Sequence, residues 1–278
     1  MTSIKNLLKF LLHKFFKKNS KTSIGKYIGK ILVEEAMSQT QMVTHGGISL
    51  KFTVPNSLNY YRVNSFSNKE PETLAWIDSF TENSVFWDVG ANIGLYSCYA
   101  AHKRGCSVIS FEPSIFNLEL LARNIHQNFL NEKINIMPIA ITNTESVSEL
   151  NLSTTEWGGA LSSFGESYGQ DGFELDIKFS YRTFGASLDN LLKLFDLEQP
   201  KYLKIDVDGI EHLVLKGGAR LLDGVQEILI ELNDGFIEQA KTSYQILNAA
   251  GFSLKEKTLV PSLEGTNLEK LANQLWVK

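Results

Sequence analysis

From residue 84 onward, short apolar runs that end in acidic or glycine-containing turns alternate with helical segments. No other feature constrains the fold as strongly. Segments 85–89, 107–111, 134–141, 202–207, 227–232 and 252–257 read as strands. Segments 94–104, 117–128, 188–195, 210–222 and 236–250 carry helical spacing, and 274–278 is a candidate last strand. Short strands separated by helices of about 10–15 residues predict an α/β fold with a doubly wound, mostly parallel sheet covered on both faces. The stretch 142–187 interrupts the alternation. It is rich in Ser, Thr and Gly, has weak strand signals at 147–152 and 173–181, and reads as an inserted hairpin or flap. Upstream, 48–54 alternates like a strand stopped by Pro55-Asn56, a polar stretch runs to about Pro71, and 72–80 is a short amphipathic helix. The chain thus divides into an arm (1–40), an extension (41–83) and a main domain (84–278).

Charge is distributed unevenly. Residues 1–30 hold eight lysines and no acid, whereas the other 248 residues hold 19 basic and 31 acidic side chains. An acidic body lacks the basic face that phosphate backbones require, so nucleic acid is not an expected partner. Only two cysteines are present, Cys98 and Cys106, which excludes a disulfide framework and fits a reduced, cytoplasmic setting.

Within the arm, Ile4, Leu7, Leu8, Leu11, Leu12, Phe15 and Phe16 recur at helical spacing with lysines opposite. The longest apolar run, Phe10 to Leu12, is too short to cross a bilayer, and no signal-peptide cleavage pattern follows it. Two readings stand: a helix whose apolar stripe packs on the main domain, or an interfacial helix held through residues 1–30 by anionic lipid at the inner face of a membrane.

In a doubly wound sheet, ligands bind at the carboxyl ends of the strands, and several motifs fall there. DVGANIG at 88–94 delivers an acid, Asp88, and then a glycine loop that lets backbone approach a ligand. It lacks the G-x-G-x-x-G pyrophosphate fingerprint, and an acid in that place suits a cationic group such as an amino-acid ammonium. Glu112 ends the next strand, 18 residues after Gly94, where a carboxylate can accept both hydroxyls of a ribose. Asp206 ends the fourth strand, with Asp208 and Glu211 following and Glu231 ending the fifth. Four carboxylates and Lys204 therefore converge on one edge.

DVGANIGLYS (88–97), FEPSIFNLELLARNI (111–125) and KIDVDGIE (204–211), with EPET (70–73), SLD (187–189) and ILIE (228–231), together resemble the FkbM family of S-adenosylmethionine-dependent O-methyltransferases. The resemblance spans about residues 70–235. It implies a Rossmann-like class I methyltransferase fold of seven strands, the last antiparallel, with the cofactor over the first strands. By position, Asp88, Gly90, Asn92 and Gly94 would line its methionine part and Glu112 would hold the ribose. Asn117 would order that loop, Ala140 would sit near adenine, and Glu72 and Thr73 would close over the cofactor. Tyr96 and Ser97 are expected to pack rather than to contact it.

Methyl transfer from a sulfonium is an in-line displacement, so the protein must align an oxygen nucleophile and take its proton. Clustered carboxylates suit that base, because like charges raise one another's pKa. Asp206 is the first candidate, with Asp208, Glu231, Lys204 and Glu211 around it. Asp206, Asp208 and Glu231 could instead hold a divalent cation, and a metal-free base is preferred. His212, inside a helix, reads as packing. In the flap, Trp157 beside Gly158 and Gly159 either stacks on a flat acceptor or anchors its own loop. The expected function is methyl transfer to a hydroxyl of a sugar, a lipid-linked glycan or another small molecule. A non-catalytic adenosyl-binding module and a nicotinamide-dependent oxidoreductase are the alternatives.

Overall fold

The computed structural model describes residues 2–260 and 263–278, with side chains from residue 6 onward. In chain order the helices and strands begin with α1 (Thr2–Asn19), α2 (Ser23–Ser38), β1 (Thr40–His45), β2 (Ile48–Thr53), α3 (Ser57–Asn64), α4 (Phe66–Lys69) and α5 (Pro71–Asp78). The central units are β3 (Val85–Val89), α6 (Leu95–Arg104), β4 (Ser107–Phe111), α7 (Ile115–Gln127), β5 (Ile134–Met137), β6 (Ala140–Ile141), β7 (Ser146–Leu152), β8 (Ser162–Phe164) and β9 (Phe179–Ala186). They are followed by α8 (Leu188–Leu194), β10 (Tyr202–Ile205), α9 (Glu211–Lys216), α10 (Leu221–Gly224), β11 (Glu227–Asn233), α11 (Ile237–Ala249), β12 (Ser253–Leu259) and β13 (Leu271–Val277).

Seven strands form the main sheet in the order β12-β13-β11-β10-β3-β4-β5. The β11-β10, β10-β3, β3-β4 and β4-β5 pairings are parallel; β13 runs antiparallel to both of its neighbours. This is the class I methyltransferase arrangement. The chain enters the main sheet at β3, steps outward to β4 and β5, and then returns to β10 on the other side. The strand order therefore reverses between β3 and β10, the place where such sheets open a crevice.

Strand alternation sorts the side chains into two cores. Phe86, Val108, Tyr202 and Leu229 point to the face covered by α5, α6 and α7. Trp87, Val89, Ile109, Leu203, Ile205 and Ile230 point to the face covered by α8, α9, α10 and α11. The extension shares the first of these cores, because Leu50, Phe52, Val63 and Phe66 pack with Phe86 and Tyr99.

The structure departs from the expectations in definite places. The stretch after Pro55 is helical: the Asn56 side chain accepts from Asn59 N to cap α3, and buried Val63 and Phe66 supply the apolar face that a polar average concealed. Segment 134–141 splits at Pro138, sending β5 to the main sheet and β6 to a second sheet of order β6-β9-β7-β8, which is the flap. Segment 210–222 breaks at Gly217 and Gly218, where a Cβ on Gly217 would lie 2.2 Å from Thr142 O. The arm is two helices, with the Thr22 hydroxyl accepting from Gly25 N to start α2. The apolar stripe of α1 is not packed on the domain. Leu7, Leu11 and Phe15 are all half exposed, and the side chains of Ile4 and Lys5 lie outside the described residues.

Candidate active site

The crevice between the β3 and β10 ends is a cavity of about 460 Å³, within the range of cofactor sites. Its floor is the turn after β3. There the sheet ladder continues beyond the strands: Gly90 N donates to Phe111 O at 2.9 Å and Asp206 N to Val89 O at 3.0 Å. Gly90 has φ 87°, and a Cβ on it would lie 1.8 Å from Asp206 O. Only glycine fits, since the β10 end occupies the space of a side chain. Gly94, at φ 82°, is set back from the cavity and starts α6 against Leu121.

Glu112 forms one wall. Its Oε2 accepts from Asn92 N (2.8 Å) and its Oε1 from Ser114 N (2.8 Å) and more weakly from Asn117 Nδ2 (3.4 Å). Burial with no cation in contact pushes its pKa up to about 7. Each carboxylate oxygen retains acceptor capacity toward the cavity. Asn92 and Asn117 both donate to Gly159 O, at 2.9 and 3.1 Å, which ties the flap to the glycine loop. Ala140 lines the cavity with Ile139, Ile141 and Phe164 in an apolar recess.

The opposite wall carries the charge. Lys204, 2% exposed, places Nζ 2.6 Å from Asp206 Oδ2 and 5.2 Å from the centre of the Tyr96 ring. Burial disfavours the ammonium, but Asp206, Glu70 and Asp88 around it raise its pKa. Burial likewise disfavours the Asp206 carboxylate, yet Lys204, with Lys69 and Arg62 farther off, holds its pKa below the usual range. Its neighbours behave in the opposite way. Burial and the Asp206 charge push Asp208 up to about 6 and Glu231 well above an ordinary glutamate. Gln170 Nε2 bridges these two, donating to Asp208 Oδ1 (2.7 Å) and to Glu231 Oε2 (3.0 Å). The other oxygen of Asp208, Oδ2, accepts from Leu161 N (2.7 Å) and Ser162 N (3.2 Å) and so pins the flap over the site.

Of the residues expected from the sequence, Gly90, Asn92, Glu112, Asn117, Ala140, Lys204, Asp206, Asp208 and Glu231 line one cavity. Asp88 does not reach it. Asp88 sits one row below the sheet edge on the α6 face, accepting from Ser97 Oγ at 2.5 Å, and its side chain is too short to climb to the floor. Lys204, paired with it in register, is long enough. Glu211 is also buried away from the cavity; it accepts from Val207 N (3.1 Å), Gly209 N (3.1 Å) and Gln239 Nε2 (2.5 Å) and shapes the turn that carries Asp208 at φ 62°. Glu72 accepts from Asn273 Nδ2 (2.8 Å), and Thr73 Oγ1 donates to Glu70 Oε2 (3.2 Å). The residue of that block that faces the cavity is therefore Glu70, with Lys69 Nζ 2.8 Å from its Oε1.

Trp157 packs partly buried on the first core, and its carbonyl accepts from Asn56 and Asn59, so it anchors its own loop. His212 is buried edge-on to Phe236. Tyr96, expected to pack only, lines the cavity.

Sequence reasoning missed Arg62, Lys69, Glu70 and Gln170. Glu70 stood in the EPET block at a helix start, a visible signal. Arg62 and Gln170 lie in stretches whose local pattern says nothing about the sheet edge they reach. Among the described residues, no group of three or more His, Cys, Asp or Glu is arranged to hold a metal ion. Asp206 is matched by an ammonium, while Asp208 and Glu231 are held by an amide.

The family model of the methyltransferase FkbM domain matches residues 88–254. The chain is similar to hexuronic acid methyltransferase AglP of Haloferax volcanii, 22% identical over 208 residues, covering 72% of this chain and 80% of that one. Among solved structures, it is similar to methyltransferase FkbM from Methylobacillus flagellatus KT (TM-score 0.47, 13% identity, 92% of this chain and 60% of that one). It is also similar to precorrin-6y C5,15-methyltransferase from Geobacter metallireducens GS-15 (TM-score 0.44, 10% identity, 75% and 86%). The family match covers more than half of the chain and includes the glycine loop after β3, Glu112 and the carboxylates at the ends of β10 and β11, and the chain belongs to the FkbM domain family of methyltransferases.

Proposed function

We propose that this chain is an S-adenosylmethionine-dependent O-methyltransferase acting on a hydroxyl of a sugar or another small polyhydroxylated acceptor. The observation that carries this reading is the opposition, across one cavity, of Glu112 with its unfilled acceptor capacity and the raised pair Asp208 and Glu231.

The residues fit the cofactor. Gly90 leaves room for backbone approach, Glu112 can take both ribose hydroxyls, and the recess by Ala140 and Phe164 suits a flat apolar-faced base. Asp206 and Glu70 offer carboxylates to an ammonium, and Lys69 and Arg62 offer cations to a carboxylate. When bound, S-adenosylmethionine supplies an electrophilic methyl group on a sulfonium.

Within the cluster the protein separates two tasks. Asp206, matched by Lys204, stays ionised and is a weak base, so its role is to position. Glu231 takes one hydrogen bond among the described residues, from Gln170, and its raised pKa makes it the better acceptor for the hydroxyl proton. The Glu231 carboxylate would accept the proton that the acceptor hydroxyl gives up when the methyl group leaves the sulfonium and S-adenosylhomocysteine is released. The sugar assignment draws support from the AglP relative, whose name specifies a hexuronic acid.

Titration calorimetry with S-adenosylmethionine, S-adenosylhomocysteine and NAD in parallel tests the cofactor. Binding of the two adenosyl ligands alone is expected; binding of NAD alone would discard the reading. Methyl transfer from labelled S-adenosylmethionine to a panel of uronic acids and nucleotide-linked sugars then tests the acceptor class. Labelling only of amine or carbon acceptors would refute O-transfer.

A further inference from the structure

We propose that α1, continued by the start of α2, is an interfacial helix that docks this protein on an anionic lipid surface. On α1, Leu7, Leu11 and Phe15 succeed one another at four-residue intervals, with Leu8 and Leu12 beside them, and form one apolar stripe. A surface helix of a globular protein turns such a stripe to the core. Here the stripe is open: Leu7 is 59%, Leu8 56% and Phe15 50% exposed. The main packing partner of α1 is α2, which itself leaves Ile24 and Tyr27 exposed. Five large apolar side chains on one helix make a patch of the kind that marks an interaction surface.

Charge complementarity selects the occupant. Lys9 and Lys17 lie opposite the stripe, on the side that also carries exposed Phe10; Lys14 flanks the stripe, Lys18 ends it, and Lys21, Lys26 and Lys30 continue into α2; the first acidic residue of the chain is Glu34. Among the described residues, Lys30 is the lysine of this set that has an ion pair, to Glu34 at 3.6 Å. A second copy docked through the same face would oppose lysines to lysines across a two-fold axis. A bilayer surface instead offers apolar depth and anionic headgroups in two adjacent layers, the order in which the stripe and the lysines present themselves. No helix among the described residues is long and apolar enough to cross a membrane, so the helix would lie in the interface plane. The body, with 31 acidic against 19 basic side chains beyond residue 30, would be repelled by the same surface. Attraction is thereby confined to the arm.

Flotation of the full chain with vesicles of phosphatidylcholine alone, or of phosphatidylcholine and phosphatidylglycerol in equal parts, tests the proposal. Binding is expected to the anionic vesicles only, and to weaken strongly in about 1 M salt, where the screening length is about 3 Å. Lys14→Gln/Lys17→Gln/Lys18→Gln changes exposed side chains that leave the fold untouched; at about fivefold per lysine it should cost about a hundredfold in partitioning. Leu11→Asp/Phe15→Asp should abolish binding while circular dichroism and the melting temperature of the body stay unchanged. Equal binding to both vesicle types, no binding to either, or binding indifferent to both variants would overturn the proposal. A dimer in light scattering that Leu11→Asp/Phe15→Asp returns to monomer, without vesicle binding, would assign the face to a second copy and overturn it as well.

Discussion

Lys204 and Asp206, two residues apart at the end of β10, form an ion pair of 2.6 Å that sets the charge pattern of the whole site. The ammonium rises from the row below the sheet edge and neutralises the carboxylate nearest the glycine turn, while Asp208 and Glu231 have no such partner. Replacing Lys204 by Met leaves Asp206 unmatched beside Glu70 and Glu231. A broken fully buried pair costs about 3–5 kcal/mol, and here the cost should be smaller, because the Asp206 side chain is about a quarter open and Lys69 and Arg62 still face it. Lys204→Met should therefore melt below the parent near neutral pH and recover part of the loss in acid, where the carboxylates are protonated. A melting temperature unchanged at neutral pH would refute this role.

Glu231→Gln removes the group assigned to take the proton and leaves the cofactor wall intact. The turnover number should fall by about 10²–10⁴-fold with S-adenosylmethionine affinity within a few fold of the parent. Asp206→Asn should instead weaken cofactor binding along with turnover. If Asp206→Asn alone loses turnover and Glu231→Gln keeps it, the base is Asp206.

In the function proposed above, Glu112 would hold the ribose as an anion, so cofactor affinity should rise with pH through about 7, its raised value. Glu112→Ala should weaken binding at least tenfold and remove that pH dependence. Calorimetry from pH 5.5 to 8.5, about one and a half units to either side, reads both effects.

Burial lifts Glu211 to about 8, above its ordinary value in an unfolded chain. A carboxyl with a raised folded pKa contributes stability that is complete below the unfolded value and is lost as pH rises through the folded one. The parent should lose melting temperature between pH 5 and about 8, and Glu211→Gln should flatten that slope. Parallel slopes in the two proteins would show that another group is responsible.

Trp157 packs on the core rather than in the cavity. Trp157→Ala should lower stability by about 2–4 kcal/mol, less than a fully buried Trp because the ring is only partly covered. The Michaelis constant for the acceptor should change little. A large rise in that constant with an unchanged melting temperature would return the residue to the acceptor site.

Much of this architecture was legible in the chain. The apolar run at 85–89 and its DVGANIG turn determine a strand delivering a glycine loop, because only glycine tolerates φ 87° with the β10 end 1.8 Å from where a Cβ would stand. The acids at the ends of β4 and β10, Glu112 and Asp206, could be assigned to one sheet edge from alternation alone. These are local consequences of period, turn chemistry and strand direction.

Tertiary structure decided which neighbouring polar residues face the cavity. Asp88 and Asp206 both belong to strand ends, yet one row of pleat and the length of a side chain put Asp88 beneath the floor and bring Lys204 into it. Within EPET, helix α5 turns Glu70 inward and Glu72 toward Asn273. Gln170, reaching Asp208 and Glu231 across 38 and 61 residues, comes from a flap whose sequence carries no trace of its target. Period and turn chemistry act over a few residues and so are written in the order of the chain. The charge state of a buried carboxylate depends on whatever the folded chain packs within a few ångströms of it, and that is determined only when distant segments meet.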